Sequence, residues 1–240
     1  MTIPYKNSDK SKKEQVATMF NNIAHKYDFL NHTLSLGIDK IWRAKAIREL
    51  TKENPQLILD IATGTGDFAI AAAKKMKPKK IIGLDISEKM MEIGAQKVAK
   101  MNLQSIISFE IGDCEALRFE SNYFDATLTG FGVRNFENLQ NGLQEIVRVL
   151  KPGGKAFILE FSKPEKFPIK QLYNFYFKNI LPSIGKMFSK DTAAYSYLPD
   201  SVDAFPFGQA FVNEATKAGF SHTKFQKLSF GIATLYICSK

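Results

Sequence analysis

The feature that most constrains this 240-residue chain is a strand, a glycine turn and a helix in immediate succession: the apolar run from Leu57 to Ala62, Thr63-Gly64-Thr65-Gly66, then the alanine-rich stretch from Asp67 to Met76. An apolar run of strand length ended by glycines and followed at once by a helical pattern predicts a βα unit. The rhythm repeats, with strands expected at Lys80 to Asp85, Ile106 to Ile111, Phe124 to Gly130 and Lys155 to Phe161, and helices at Ser87 to Met101 and Leu139 to Leu150. Ser87 stands at the expected N-cap of its helix, and Pro152-Gly153-Gly154 ends the helix before it. A helix from Gly208 to Ala218 and two β runs, near Phe220 to Phe230 and Ile232 to Ser239, close the chain. The strands read as continuous apolar runs because helices cover both faces of a parallel sheet. The fold class predicted is α/β, a doubly wound, mostly parallel seven-stranded sheet.

Two stretches break the alternation. Residues 1–50 form an irregular N-terminal helical cover, holding His25-Lys26-Tyr27-Asp28 and the lone Trp42, and 163–207 form an aromatic-rich lid insertion. With 51–162 as the cofactor-binding core and 208–240 as the closing helix and strands, they make one domain. Apolar residues at 45% supply enough volume for a core and exclude the disordered classes. Cys114 and Cys238, the two cysteines, are too few for a disulfide scaffold or a cysteine-based zinc site, which points to a reducing, cytoplasmic setting. The first residues are polar and lysine-rich, and no run of 18 apolar residues occurs, so neither a secretory leader nor a membrane span is expected. The net charge of +9 favours anionic partners, but with only five arginines among 33 cations nucleic acid is not expected.

The turn reads Gly64-x-Gly66-x-x-Ala69, and Asp85 ends the next strand about twenty residues on, which on spacing alone satisfies a dinucleotide fingerprint. Charge argues otherwise. Asp60 ends the first strand and Asp67 opens the helix where a pyrophosphate would rest, with no Lys or Arg in the turn. Two like charges about 4 Å apart repel by roughly 4 kcal/mol at an effective dielectric near 20. S-adenosylmethionine, with a sulfonium and an ammonium, fits such a site. Asp60 is expected to face its ammonium directly or through water, Asp85 to accept the ribose hydroxyls, and Asp113 to accept from the adenine amino group. Gly64, Thr65 and Gly66 let the backbone pass close to it. No metal site is expected, since the three histidines lack ligand spacing.

Asp60-Ile-Ala-Thr-Gly-Thr-Gly66, Gly83-Leu-Asp85-Ile-Ser-Glu-Lys-Met90, Gly112-Asp113-Cys-Glu-Ala116 and Leu150-Lys-Pro-Gly-Gly154 resemble the successive motifs of Rossmann-like class I S-adenosylmethionine-dependent methyltransferases. Further stretches resemble the ubiquinone/menaquinone biosynthesis C-methyltransferase family from about Phe20 onward: Lys26-Tyr27-Asp28 with Asn31 and Trp42, Gly130-Phe-Gly-Val-Arg134-Asn135, Leu159-Glu-Phe-Ser-Lys-Pro164 and Tyr195-Ser-Tyr-Leu198. The resemblance implies cofactor contacts at Thr65, Asp85, Asp113 and Cys114. Gly130 replaces a serine found in some members, which removes one side-chain contact near the cofactor.

The activity so implied is methylation of a ring carbon of a reduced, polyprenylated quinone. A demethylmenaquinol substrate is favoured because Gly130 also resembles menaquinone-dedicated members, with a ubiquinone-type benzoquinol the alternative. A phenol with pKa near 10 is about one part in a thousand ionised at neutral pH, so the site must stabilise an oxyanion or place a base beside it. Arg134 is the candidate for the charge, Asn135 its neutral neighbour, and Tyr27 or Asp28 the proton relay. His25 and His32 are not chosen.

Between Lys163 and Lys190 stand six lysines, one glutamate and the aromatics Phe167, Tyr173, Phe175, Tyr176, Phe177 and Phe188. A helix opened by Pro168 at its first position would align Ile169, Leu172, Tyr173, Tyr176 and Ile180 on one side. That stripe is expected to pack on the sheet domain, and part of the lid to touch an anionic membrane surface or guide an isoprenoid tail. The localisation expected is cytoplasmic with peripheral attachment to the inner face of the cell membrane. Oligomeric state is not legible. The rival readings are a methyltransferase of the same fold for another small molecule or lipid, an NAD-dependent oxidoreductase, and a non-catalytic binding protein.

Overall fold

The computed structural model describes residues 2–35, 37–180 and 193–240. In it every predicted strand forms, within a residue or two at most ends: β1 Leu57–Ile61, β2 Lys80–Asp85, β3 Ile107–Ile111, β4 Phe124–Gly130, β5 Leu150–Phe161, β6 His222–Leu228 and β7 Ala233–Ser239. They make a seven-stranded sheet in the order β3-β2-β1-β4-β5-β7-β6. Strands β1 to β5 pair in parallel and β7 runs antiparallel to both its neighbours. The helices are α1 Lys12–Leu34, α2 Ile38–Thr51, α3 Asp67–Met76, α4 Glu88–Lys100, α5 Leu139–Val149, α6 Ile169–Phe175, α7 Ala193–Ala204 and α8 Gln209–Ala218.

The apolar runs have the origin expected of a sheet buried on two faces. Ile58, Ile81, Leu128 and Phe157 join Trp42, Phe68 and Val98 in the core under α2, α3 and α4. Their strand neighbours Leu59, Ile82, Ala156 and Ile158 join Leu143, Ile146 and Phe211 in the core under α5 and α8. Alternate residues thus point into opposite cores, and those named are apolar. The chain order reverses between β1 and β4, and the carboxyl ends of these two strands open the crevice where such sheets hold ligands.

Three local expectations change. Strand β5 begins at Leu150 rather than Lys155, because Leu150 pairs with Phe124 ahead of a register shift that the glycines accommodate. Ser87 occupies the N-cap of α4 but does not cap it: its hydroxyl donates to Asn21 Oδ1 at 2.9 Å and so ties α4 to α1. Pro168 is the N-cap of α6, and the helix widens into a π turn over Tyr176–Ile180. Phe188 of the lid lies outside the described residues.

Candidate active site

The cofactor cleft forms where the switch point puts it. Ala62 and Gly64 after β1, Leu84 and Asp85 of β2, Asp113 and Cys114 after β3, and Gly130 and Gly132 at the end of β4 line one narrow cavity of about 60 Å³. Lys13, Val16, Phe20 and Tyr27 of α1 close over it. Helix α1 is held there by the Lys12 ammonium, which donates to Phe136 O at 2.6 Å and Arg134 O at 3.3 Å, and by Lys13, which is ion-paired to Asp113. Lys13 was not nominated from the sequence. Only folding brings it the hundred residues to Asp113.

Each acid on the first two strand tips is oriented by backbone donors. Asp85 is buried, its Oδ2 accepting from Gly64 N at 2.8 Å and its Oδ1 from Ser87 N at 2.8 Å, and burial raises its pKa. A carboxylate oxygen accepts more than one hydrogen bond, so Asp85 retains capacity for hydroxyl donors on the cleft side. Asp60 lies deeper, 1% exposed, and does not line the cleft. Its Oδ2 accepts from Thr63 Oγ1 at 2.7 Å and Ala69 N at 3.1 Å, while its Oδ1 is buried with no partner among the described residues. Burial, aided by the Asp85 charge, pushes its pKa up to about 7. Direct facing of a ligand ammonium is therefore corrected to action at one remove. Burial also pushes the Cys114 thiol well above its usual range, which makes it a neutral wall of the cleft.

The turn works differently from the sequence reading. Gly64 and Gly66 both have positive φ, 56° and 75°. A Cβ on Gly66 would stand 2.8 Å from Phe109 Cζ, so this glycine is required for packing of α3 on β3 rather than for approach to a ligand. Thr65 turns its hydroxyl away from the cleft, donating to Asp28 Oδ1 at 2.6 Å. Lys97 of α4 joins them, 2.8 Å from Asp28 Oδ2 and ion-paired to Asp67, and Arg43 of α2 lies 3.7 Å from Asp67. The sequence premise that no cation offsets Asp67 holds only within the turn; two arrive from other helices. The case for a cationic ligand rests instead on Asp60 and Asp85, neither of which has an ion-pair partner among the described residues, and the orphaned Asp60 Oδ1 is what a cation held through water satisfies. These residues fit S-adenosylmethionine.

A second cavity of about 500 Å³ adjoins the first. Its walls are mostly aromatic or aliphatic, among them Met19, Phe20 and Ile23 of α1, Trp42 of α2, Phe131 and Phe161 from the strand ends, Ile169, Leu172 and Tyr173 of α6, and Phe230 of the β6–β7 connection, with the ion-paired Asp39 and Arg43 of α2 also lining it. The Trp42 indole donates to Ser229 Oγ at 2.8 Å, closing one wall. Phe20, Tyr27 and Phe131 line both cavities and form their common wall.

The proposed catalytic residues divide between these spaces. Arg134 lines the large cavity, Asn135 the cofactor cleft, and Tyr27 both. Asp28 lines neither and is consumed by Thr65 and Lys97, so the structure does not bring it to the proton-relay position. Arg134 is not free: its Nη1 donates to Glu160 Oε1 at 2.8 Å and to Phe131 O, although its buried Nε has no partner among the described residues. The Asn135 Oδ1 is buried and likewise has no partner among the described residues. Gly130 has its own reason, since a Cβ there would stand 3.0 Å from Phe68 Cδ1. Asp113, Cys114 and Glu115 bring ligand-type atoms together, but the Glu115 carboxylate accepts from Glu137 N and Asn138 N and Asp113 holds Lys13.

A sheet in this order with acids on its successive strand tips around the switch point is the fold of S-adenosylmethionine-dependent methyltransferases. The same fold is seen in a methyltransferase of that class from Thermotoga maritima, with TM-score 0.65 at 19% identity over 93% of this chain and 98% of the other. A model of the ubiE/COQ5 methyltransferase family matches residues 8–240, and the chain belongs to that family. A demethylmenaquinone methyltransferase of Bacteroides fragilis is 53% identical over 99% of this chain and 96% of its own length. A ubiquinone/menaquinone biosynthesis C-methyltransferase of Geobacter sulfurreducens is 44% identical over 95% and 90%.

Proposed function

We propose that this enzyme methylates the ring carbon of demethylmenaquinol in menaquinone biosynthesis, with S-adenosylmethionine as methyl donor. The observation that carries the reading is the large apolar cavity sharing a wall of Phe20, Tyr27 and Phe131 with the acidic cleft. An apolar aromatic substrate with a long tail suits a cavity of about 500 Å³ with few polar groups.

Asp85 and Asp113 would hold the ribose and adenine ends of the donor, and Asp60 its ammonium through water. When bound, the donor supplies an electrophilic sulfonium methyl. The protein's task is to make carbon nucleophilic. The Arg134 charge on the cavity side favours the ionised form of the ring hydroxyl, which pushes electron density onto the neighbouring ring carbon. That carbon takes the methyl group, the thioether departs, and the hydrogen displaced from the ring leaves as a proton when aromaticity returns. Tyr27 stands on the wall between both spaces and is the proton relay; Asp28 acts instead on the turn.

The tail leaves between α6 and the β6–β7 connection, where Leu172 is 62% exposed and Phe230 81% exposed although both line the cavity. Phe167 and Phe175 are exposed on the same insertion, flanked by Lys166 and Lys170. This rim docks on the anionic inner surface of the cell membrane, where the substrate dissolves, by apolar insertion and lysine attraction. No described helix is long and apolar enough to cross a bilayer.

The deciding experiment incubates the pure protein with isotopically labelled methyl donor and reduced demethylmenaquinone and locates the label by mass analysis. Label on the ring carbon supports the reading; if the quinone stays unlabelled while a parallel incubation with the ubiquinone-type benzoquinol precursor gives a labelled ring, the alternative substrate replaces it.

A further inference from the structure

Two phenols from the lid stand out because their hydroxyls are buried and have no hydrogen-bond partner among the described residues. Tyr173 of α6 is 8% exposed and Tyr197 of α7 is 3% exposed; both line the large cavity, and neither hydroxyl has a partner among the described residues. A buried hydroxyl without a partner is costly, so its retention calls for a use. Both rings are otherwise held by packing: Tyr173 stacks on Phe177 at 4.1 Å, and Tyr197 packs with Val16 and Met19 of α1. Their positions are fixed while their polar atoms are unspent. Arg134 Nε is a third buried orphan donor, and the guanidinium acts electrostatically on both phenols.

We propose that Tyr173 and Tyr197 are the hydrogen-bond donors that seat the ring oxygen of the substrate, and that with Arg134 Nε they form a polar end of a mostly apolar cavity, apart from the ion-paired Asp39 and Arg43 that also line it. The inference rests on the quinol reading above. Its chemistry asks for donors, since an oxygen that gains charge as the ring carbon becomes nucleophilic is stabilised by fixed N–H and O–H groups in a dry site. The phenols suit this role because burial keeps them protonated, with Tyr197 pushed up to about 12 and Tyr173 also raised, and the Arg134 charge does not outweigh burial. Neither tyrosine gives up its proton. The lid thus supplies recognition as well as an apolar wall.

The test uses the full chain and the variants Tyr173→Phe, Tyr197→Phe and both together, which keep the rings. The probes are 2-prenyl-1,4-naphthalenediol and its hydroxyl-free counterpart 2-prenylnaphthalene, titrated anaerobically by protein fluorescence. Wild type favours the diol; each variant loses most of that preference and loses about 10- to 100-fold in kcat/KM, with affinity for S-adenosylhomocysteine unchanged. Removing an unpaired hydroxyl also leaves Tm unchanged or raises it by about 2–4 °C, an effect opposite to that of damage to the fold. Variants with wild-type preference and kcat/KM overturn the inference alone. A wild type that neither methylates the diol nor favours it overturns the substrate reading and this inference together.

Discussion

Arg134 donates to Glu160 Oε1 at 2.8 Å in an ion pair whose two side chains are only 7% and 0% exposed. Glu160 also accepts from the backbone N–H of Arg134 and of Phe161, so the guanidinium, a strand end and a helical turn are fixed as one unit. The residue proposed to stabilise charge on the substrate therefore also neutralises a buried carboxylate.

It follows that Arg134→Ala loses stability as well as turnover. Leaving one member of a buried pair uncompensated costs about 3–5 kcal/mol, which lowers Tm by roughly 10 °C in a domain of this size. Arg134→Lys retains the charge and most of the Tm but not the fork, and its turnover falls by about tenfold or more. Thermal melts beside single-turnover kinetics separate the two roles; full stability in Arg134→Ala contradicts the buried pair.

Lys97 links Asp28 of α1 to Asp67 at the start of α3. Lys97→Met and Asp28→Asn should each weaken S-adenosylhomocysteine binding several-fold, by loosening the turn, while turnover at saturating donor stays within about threefold of wild type. Were Asp28 the proton relay, the pattern would reverse, with donor affinity intact and turnover abolished. Calorimetry and initial rates on the same preparations discriminate.

The Asp60 pKa near 7 gives donor binding a pH dependence of definite sign. A bound ammonium favours the ionised carboxylate, so affinity rises with pH up to about 7 and levels off above it. In the free protein the same group contributes stability that is fully present below its unfolded pKa and is lost as pH rises through about 7. Titration of S-adenosylmethionine from pH 5.5 to 8.5 should show the rise, and Asp60→Asn should flatten it.

Membrane docking through Phe230 and Leu172 predicts flotation with anionic vesicles at low salt, weakened at high salt and weakened further in a Phe230→Ser/Leu172→Ser variant. Neutral vesicles should bind less. Failure to float with anionic vesicles in either salt condition removes the docking rim.

Gly66 combines a positive φ with a Cβ position 2.8 Å from Phe109. Gly66→Ala should cost about 2–3 kcal/mol, part left-handed backbone and part overpacking. Adding Phe109→Leu should return only the packing part, which a double-mutant cycle by denaturant unfolding resolves.

The sequence by itself determined the sheet, because strands buried on both faces are written as apolar runs, as at Ile58-Leu59 and Ile81-Ile82, whose members point to opposite cores. It also placed Asp60, Asp85 and Asp113 at successive strand ends, since position along a strand is a local property. What it did not determine was which side chains share a space. Thr65 sits in the turn yet faces Asp28, and Arg134 and Asn135, adjacent in the chain, line different cavities. Lys13 and Lys97 reach their acids across long stretches of chain, and Tyr173 and Tyr197 meet one cavity from separate helices. Only the tertiary structure decided these pairings: ion pairing and desolvation depend on distance in space, whereas residue pattern records periodicity along the backbone.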